Sequence, residues 1–194
     1  MKSKKQTMRE KRRRRKTITR IIWGAVAIIL IAVIGYFVWN ALKPAAGQTV
    51  PIMADTGHVE EGQDPGPYNT DPPTSGRHYA NELEAGFYEE ADRDSISGFP
   101  EGYLVHNLEH GYVIFWYNCD LVTDGECTEL KSQIRSVLDR ENNFKVIAFP
   151  WDSLKVPVVL TSWGQMQEFE TFNPELAQSF VRQNRNQAPE PLAP

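Results

Sequence analysis

Residues 21–42 run for twenty-two positions without a charge. As a helix rising ~1.5 Å per residue, such a run spans about 33 Å, enough to cross a bilayer core of ~30 Å. Trp23 stands near one end, and Tyr36 and Trp39 near the other, where interfacial aromatic anchors belong. A cleaved signal peptide has a shorter apolar region of ~7–15 residues and ends in a small-residue site. Ala41-Leu42-Lys43 is a poor cleavage site, so the pattern predicts an uncleaved anchor.

Beyond the anchor the periodicity changes repeatedly. Residues 43–57 are rich in Pro, Gly and Ala and read as a tether. Residues 58–100 carry turn chemistry in Asp64-Pro65-Gly66-Pro67 and in Asp71-Pro72-Pro73-Thr74-Ser75-Gly76. Proline sets φ there and glycine supplies φ > 0. Val113, Ile114, Phe115, Trp116 and Tyr117 form a β-branched and aromatic run that suits a buried strand. Residues 102–105 are expected to be its hairpin partner, with 106–111 as the tight connection. Leu130, Ile134, Val137 and Leu138 make one helical face within 128–140. Residues 144–149 and 156–163 read as strands. Asn173 and Pro174 open a last helix as N-cap and first position, with Leu176, Phe180 and Val181 as its stripe. The tail, 188–194, holds three prolines and reads as frayed.

The fold class that follows is α+β: a single mixed sheet with helices on one face, preceded by a transmembrane helix and a loop-rich N-terminal segment. The segments are a cytoplasmic basic arm (1–20), the transmembrane helix (21–42), the tether (43–57), an extracytoplasmic globular domain (58–187) and the tail (188–194).

Charge adds an orientation. Residues 1–20 hold eleven Lys/Arg and one acid, a net of +10, while the remainder nets −14. A basic arm beside an apolar span places the N-terminus in the cytoplasm and the domain outside, in a single-pass cell-membrane arrangement. The arm reads as topology and anionic-lipid contact, and nothing in the acidic domain suggests nucleic acid. An envelope protein is the expected kind of partner.

Four histidines, His58, His78, His106 and His110, all fall early in the domain. Imidazole suits zinc, copper, iron and nickel, and three or four such ligands complete a coordination shell. His106 and His110 lie four apart, and the rigid Pro72-Pro73 turn makes His78 the third ligand. Glu109 is the adjacent acid, and His58 is a further candidate beside the tether. The expected cofactor is therefore a copper or zinc ion, bound for sensing or delivery. A metal-free envelope interaction or scaffold domain is the alternative.

Two enzymatic readings compete. His106-Asn107-Leu108-Glu109-His110 matches H-x-x-E-H of inverted zinc peptidases, where a helix aims the glutamate at a zinc-bound water. The expected strand after Gly111 argues against that context. Cys119 and Cys127 are the only cysteines. Their spacing departs from C-x-x-C, which argues for a disulfide in an oxidising compartment over thiol redox catalysis. Ser75 lacks a nucleophile elbow and reads as a turn residue.

Three stretches together carry a resemblance: residues 68–79 around Pro72-Pro73-Thr74-Ser75-Gly76-Arg77-His78-Tyr79, then Val105-His106-Asn107-Leu108-Glu109-His110-Gly111-Tyr112-Val113, then Pro157 through Trp163-Gly164. The set resembles the bacterial domain-of-unknown-function family 3105. The resemblance covers roughly 50–190 and implies one domain, an N-terminal membrane anchor, and importance for His78, His106, Glu109 and His110. It implies no activity.

Overall fold

A computed structural model describes residues 4–41 and 46–193; the side chains of 4–15, 17 and 36–41, including Tyr36 and Trp39, lie outside that description, as does the start of the expected tether. The chain divides into two compact units at Pro44–Ala45.

The first unit contains helix α1, Lys4–Ala41. Within it Ile18–Gly35 has a mean hydropathy of 2.3 and no buried residue, and it is long and apolar enough to cross a membrane.

The second unit is one mixed sheet with helices, as the α+β reading expects, but the helices lie on both faces of the sheet where one face was expected. Its strands are β1 (Gln48–Thr49), β2 (Gly86–Phe87), β3 (Val113–Tyr117), β4 (Val146–Pro150), β5 (Val158–Ser162) and β6 (Gln165–Phe169). They lie in the order β1-β6-β5-β3-β4-β2. β3 runs parallel to β4 and antiparallel to β5, so it is interior on both sides. Strand β1 and buried Val50 belong to the sheet and core, although residues 46–57 read as tether from composition.

Both faces of the sheet are covered, which is why β3, β4 and β5 are buried at every position, and why β3 and β4 are apolar throughout rather than alternating. Val113, Phe115 and Tyr117 point one way, onto helices α4 (Asp124–Arg140) and α5 (Pro174–Asn184) through Ile134, Val137, Phe180 and Val181. Ile114 and Trp116 point the other way, onto Leu104, Val105 and Leu108. Those three residues sit on helix α3, Pro100–Glu109, which follows the short α2, Glu90–Ser95.

Helix α3 corrects the hairpin expected at 102–117. Pro100 occupies its first turn, and Leu104 and Leu108 recur one turn apart toward the core. Gly102 disguised it, since mid-helix glycine costs about 1 kcal/mol relative to alanine. Tertiary packing overrides that cost. A Cβ at Gly102 would stand 2.5 Å from the Tyr79 ring, so the glycine lets Tyr79 lie against the helix. The Tyr79 amide donates to the Gly102 carbonyl at 3.0 Å.

Cys119 and Cys127 form a disulfide with Cα atoms 5.3 Å apart, and neither cysteine is free.

Candidate metal centre

Helix α3 presents His106 and Glu109 one turn apart, and His110 caps its C-terminus. The chain then turns at Gly111, whose φ of +85° suits glycine. A Cβ there would meet the Asn186 backbone at 2.7 Å.

The Pro-Pro segment brings His78 to this helix. Gly76, at φ +131°, packs against Tyr68, and the Tyr68 hydroxyl donates to the Arg77 carbonyl at 2.9 Å. Arg77 is fastened in turn to the carbonyls of Pro65 and Gly66. Ser75 is fully buried, and its Oγ accepts from the Met53 amide at 3.0 Å, a structural role that ties the turn to a distant segment and not to its own backbone. His78 is itself fully buried. Beside it, residues 57–59 pair with His78 as a parallel bridge, with Val59 N donating to His78 O at 2.8 Å. That bridge carries exposed His58 to the cluster.

The four imidazoles form one group. Ring centroids are 4.8 Å apart for His58 and His78, 5.4 Å for His58 and His106, 5.3 Å for His78 and His106, and 4.3 Å for His106 and His110. The structure divides their donor atoms differently from the sequence reading. His58, His78, His106 and Glu109 each offer a ligand atom within 4.8 Å of the others. His110 instead falls with Glu82 and His106. A tetrahedral ion at ~2.0–2.1 Å holds its ligands ~3.3 Å apart, so the first set would contract by at most ~1.5 Å.

Local chemistry favours a cation there. His78 Nδ1 donates to the Gly76 carbonyl at 2.9 Å, which leaves Nε2 as the lone-pair nitrogen of the neutral ring. That nitrogen stands 3.0 Å from Glu109 Oε2. A lone pair facing a carboxylate requires a proton or a metal ion between them. A backbone carbonyl that fixes the tautomer is also the usual outer partner of a metal-binding histidine. His106 Nδ1 is buried and has no hydrogen-bond partner among the described residues. Burial, with His110, His78 and His58 as further contributors, lowers the His106 pKa to about 4, so its lone pair stays free at neutral pH.

The helix supplies the context that H-x-x-E-H needs, contrary to the strand–turn expectation. Its members are nonetheless split, with Glu109 facing His78 and His110 Nδ1 donating to Glu82 Oε2 at 2.8 Å.

Sequence reasoning missed four residues here: Glu82, Asn107, Lys145 and Glu190. Asn107 is fully buried; its side chain donates to the Leu83 carbonyl at 2.9 Å and accepts from the Leu83 amide at 3.1 Å, which sets Glu82 beside His110. Glu190 reaches His110 Nε2 at 3.8 Å. The tail that carries it, read as frayed, is tied down: Glu190 N donates to Glu109 O at 3.0 Å, and Lys145 Nζ donates to the carbonyls of His110, Pro191 and Ala193. Pro194 lies outside the described residues. Only long-range contacts reveal these roles, because Glu82 and Glu190 stand far along the chain from His110.

Over residues 58–194 the chain matches the family described as protein of unknown function (DUF3105), and it belongs to that family. No curated protein and no solved structure matches it.

Proposed function

We propose that the domain binds one transition-metal ion, copper or zinc, through His58, His78, His106 and Glu109, for sensing or delivery at the outer face of a membrane. The observation that carries this reading is His106: a desolvated imidazole with a free lone pair, set among two further imidazoles and a carboxylate. Leaving a buried acceptor unsatisfied costs about 1–3 kcal/mol, a cost that metal ligation removes. Relative to the sequence reading, His58 replaces His110 in the ligand set.

Helix α1 is the proposed anchor, with its basic arm in the cytoplasm. The Cys119–Cys127 disulfide supports an oxidising compartment for the domain. An envelope protein is the proposed receiver or donor of the ion.

A metal-free interaction domain is the competing reading, and the His78–Glu109 and His110–Glu82 pairs favour it as structural latches. Zinc titration of the detergent-solubilised chain against a chromophoric chelator separates the two. Uptake of one ion, with weaker affinity in His78→Ala, supports the metal site; no uptake by the wild-type chain supports the latch.

A further inference from the structure

The donor set left over by the proposed site is Glu82, His106 and His110, whose ligand atoms also lie within 4.8 Å of one another. We infer that this set is a second subsite for the same ion, and that the ion passes between the two subsites with His106 as their common ligand. This inference rests on the metal reading above and goes beyond it.

The second set is built, not incidental. His110 is buried, and its Nδ1 stands 2.8 Å from Glu82 Oε2, where an ion bound by both would replace the proton between them. The ring's remaining proton is then on Nε2, which faces Glu190 Oε2 at 3.8 Å as an outer acid. Both acids are tied to helix α3: Asn107 on the helix bonds to the backbone of Leu83, next to Glu82, and the Glu190 amide donates to the Glu109 carbonyl, with Lys145 holding the carbonyl of Pro191 beside it. The backbone of α3 therefore fixes the spacing of the two subsites.

A neutral imidazole has one lone pair, so His106 ligates one ion at a time. Its ring centroid lies 4.3 Å from that of His110 and 5.4 and 5.3 Å from those of His58 and His78. The two sets therefore exchange an ion rather than hold two. Each set also has a member that reaches solvent, exposed His58 in the first and half-buried Glu82 in the second, while the shared His106 is buried. That gives a path with two mouths, one to receive an ion and one to release it. Changing ligands one at a time keeps the ion coordinated throughout.

Cobalt(II), read by its visible absorption, tests this on the full chain in detergent. Wild type should bind one equivalent. The pair His58→Ala/Glu109→Gln should still bind one equivalent with shifted bands, and adding His110→Ala and Glu82→Gln should abolish binding. The pair His110→Ala/Glu82→Gln alone should keep one equivalent but release it to excess EDTA more slowly than wild type. Circular dichroism of each variant checks that the fold is retained. Loss of all cobalt in His58→Ala/Glu109→Gln, with wild type binding normally, would overturn the second subsite. An unchanged release rate in the other pair would overturn the transfer. A wild-type chain that binds no cobalt overturns the metal reading itself, and this inference with it.

Discussion

The rings of His106 and His110 lie 4.3 Å apart, yet only His110 has a carboxylate on its Nδ1; the Nδ1 of His106 is buried and has no hydrogen-bond partner among the described residues. Burial lowers the His106 pKa from 6.5 to about 4. In chelator-treated protein the unfolded chain then binds more protons than the folded one between those values. The contribution to stability is full above about pH 6.5 and falls progressively as the pH drops toward 4. Urea unfolding at a series of pH values should show this slope, and His106→Gln should flatten it. An equal slope in the variant would contradict the assignment.

Lys145 is buried and donates to three carbonyls, two of them on the tail. Burial lowers its pKa. Lys145→Met should cost roughly 1–3 kcal/mol, because it strands buried acceptors. It should also release the tail. Hydrogen exchange at the Glu190 amide, which donates to Glu109 O, should quicken in the variant. Unchanged protection there would show that the tail holds without the ammonium.

Gly102→Ala would place a Cβ 2.5 Å from the Tyr79 ring. Overpacking of this kind costs typically 1–3 kcal/mol. The melting temperature should fall, and zinc affinity with it, because Tyr79 adjoins His78 and bonds to Gly102. A variant as stable as wild type would mean that the helix and this loop move apart freely.

The disulfide closes a loop of about nine residues, which the chain-entropy model values at about 2.5 kcal/mol. Cys119→Ser/Cys127→Ser should lose stability on that scale, while metal uptake persists. In oxidised protein both cysteines should resist alkylation until reduced. Ready alkylation would contradict the bond.

Much of the fold is visible in residue order. The five apolar residues of β3 announce a strand buried on both faces. Leu130, Ile134, Val137 and Leu138 mark the buried stripe of α4. Asn173 caps α5 as its type suggests, accepting from the amides of Glu175 and Leu176. Helix α3 is not visible in this way. It is ten residues long with a glycine inside, and its stability comes from burial of Leu104 and Leu108 and from the Tyr79 contact. The site shows the same division. Clustered histidines and a glutamate stand out by residue type. Which of them share a donor set depends on α3 being helical, because that turn separates Glu109 from His110. Glu82 and Glu190 carry no local signal, since Asn107 and Lys145 position them across the fold.

X-ray absorption at the metal edge of the zinc- or copper-loaded chain tests the central claim most directly. The expected first shell is three imidazole nitrogens and one carboxylate oxygen, at ~2.0–2.1 Å for zinc. Multiple scattering from the rings should fall by one imidazole in His58→Ala. An oxygen-only shell, or a chain that takes up neither metal, would contradict the account.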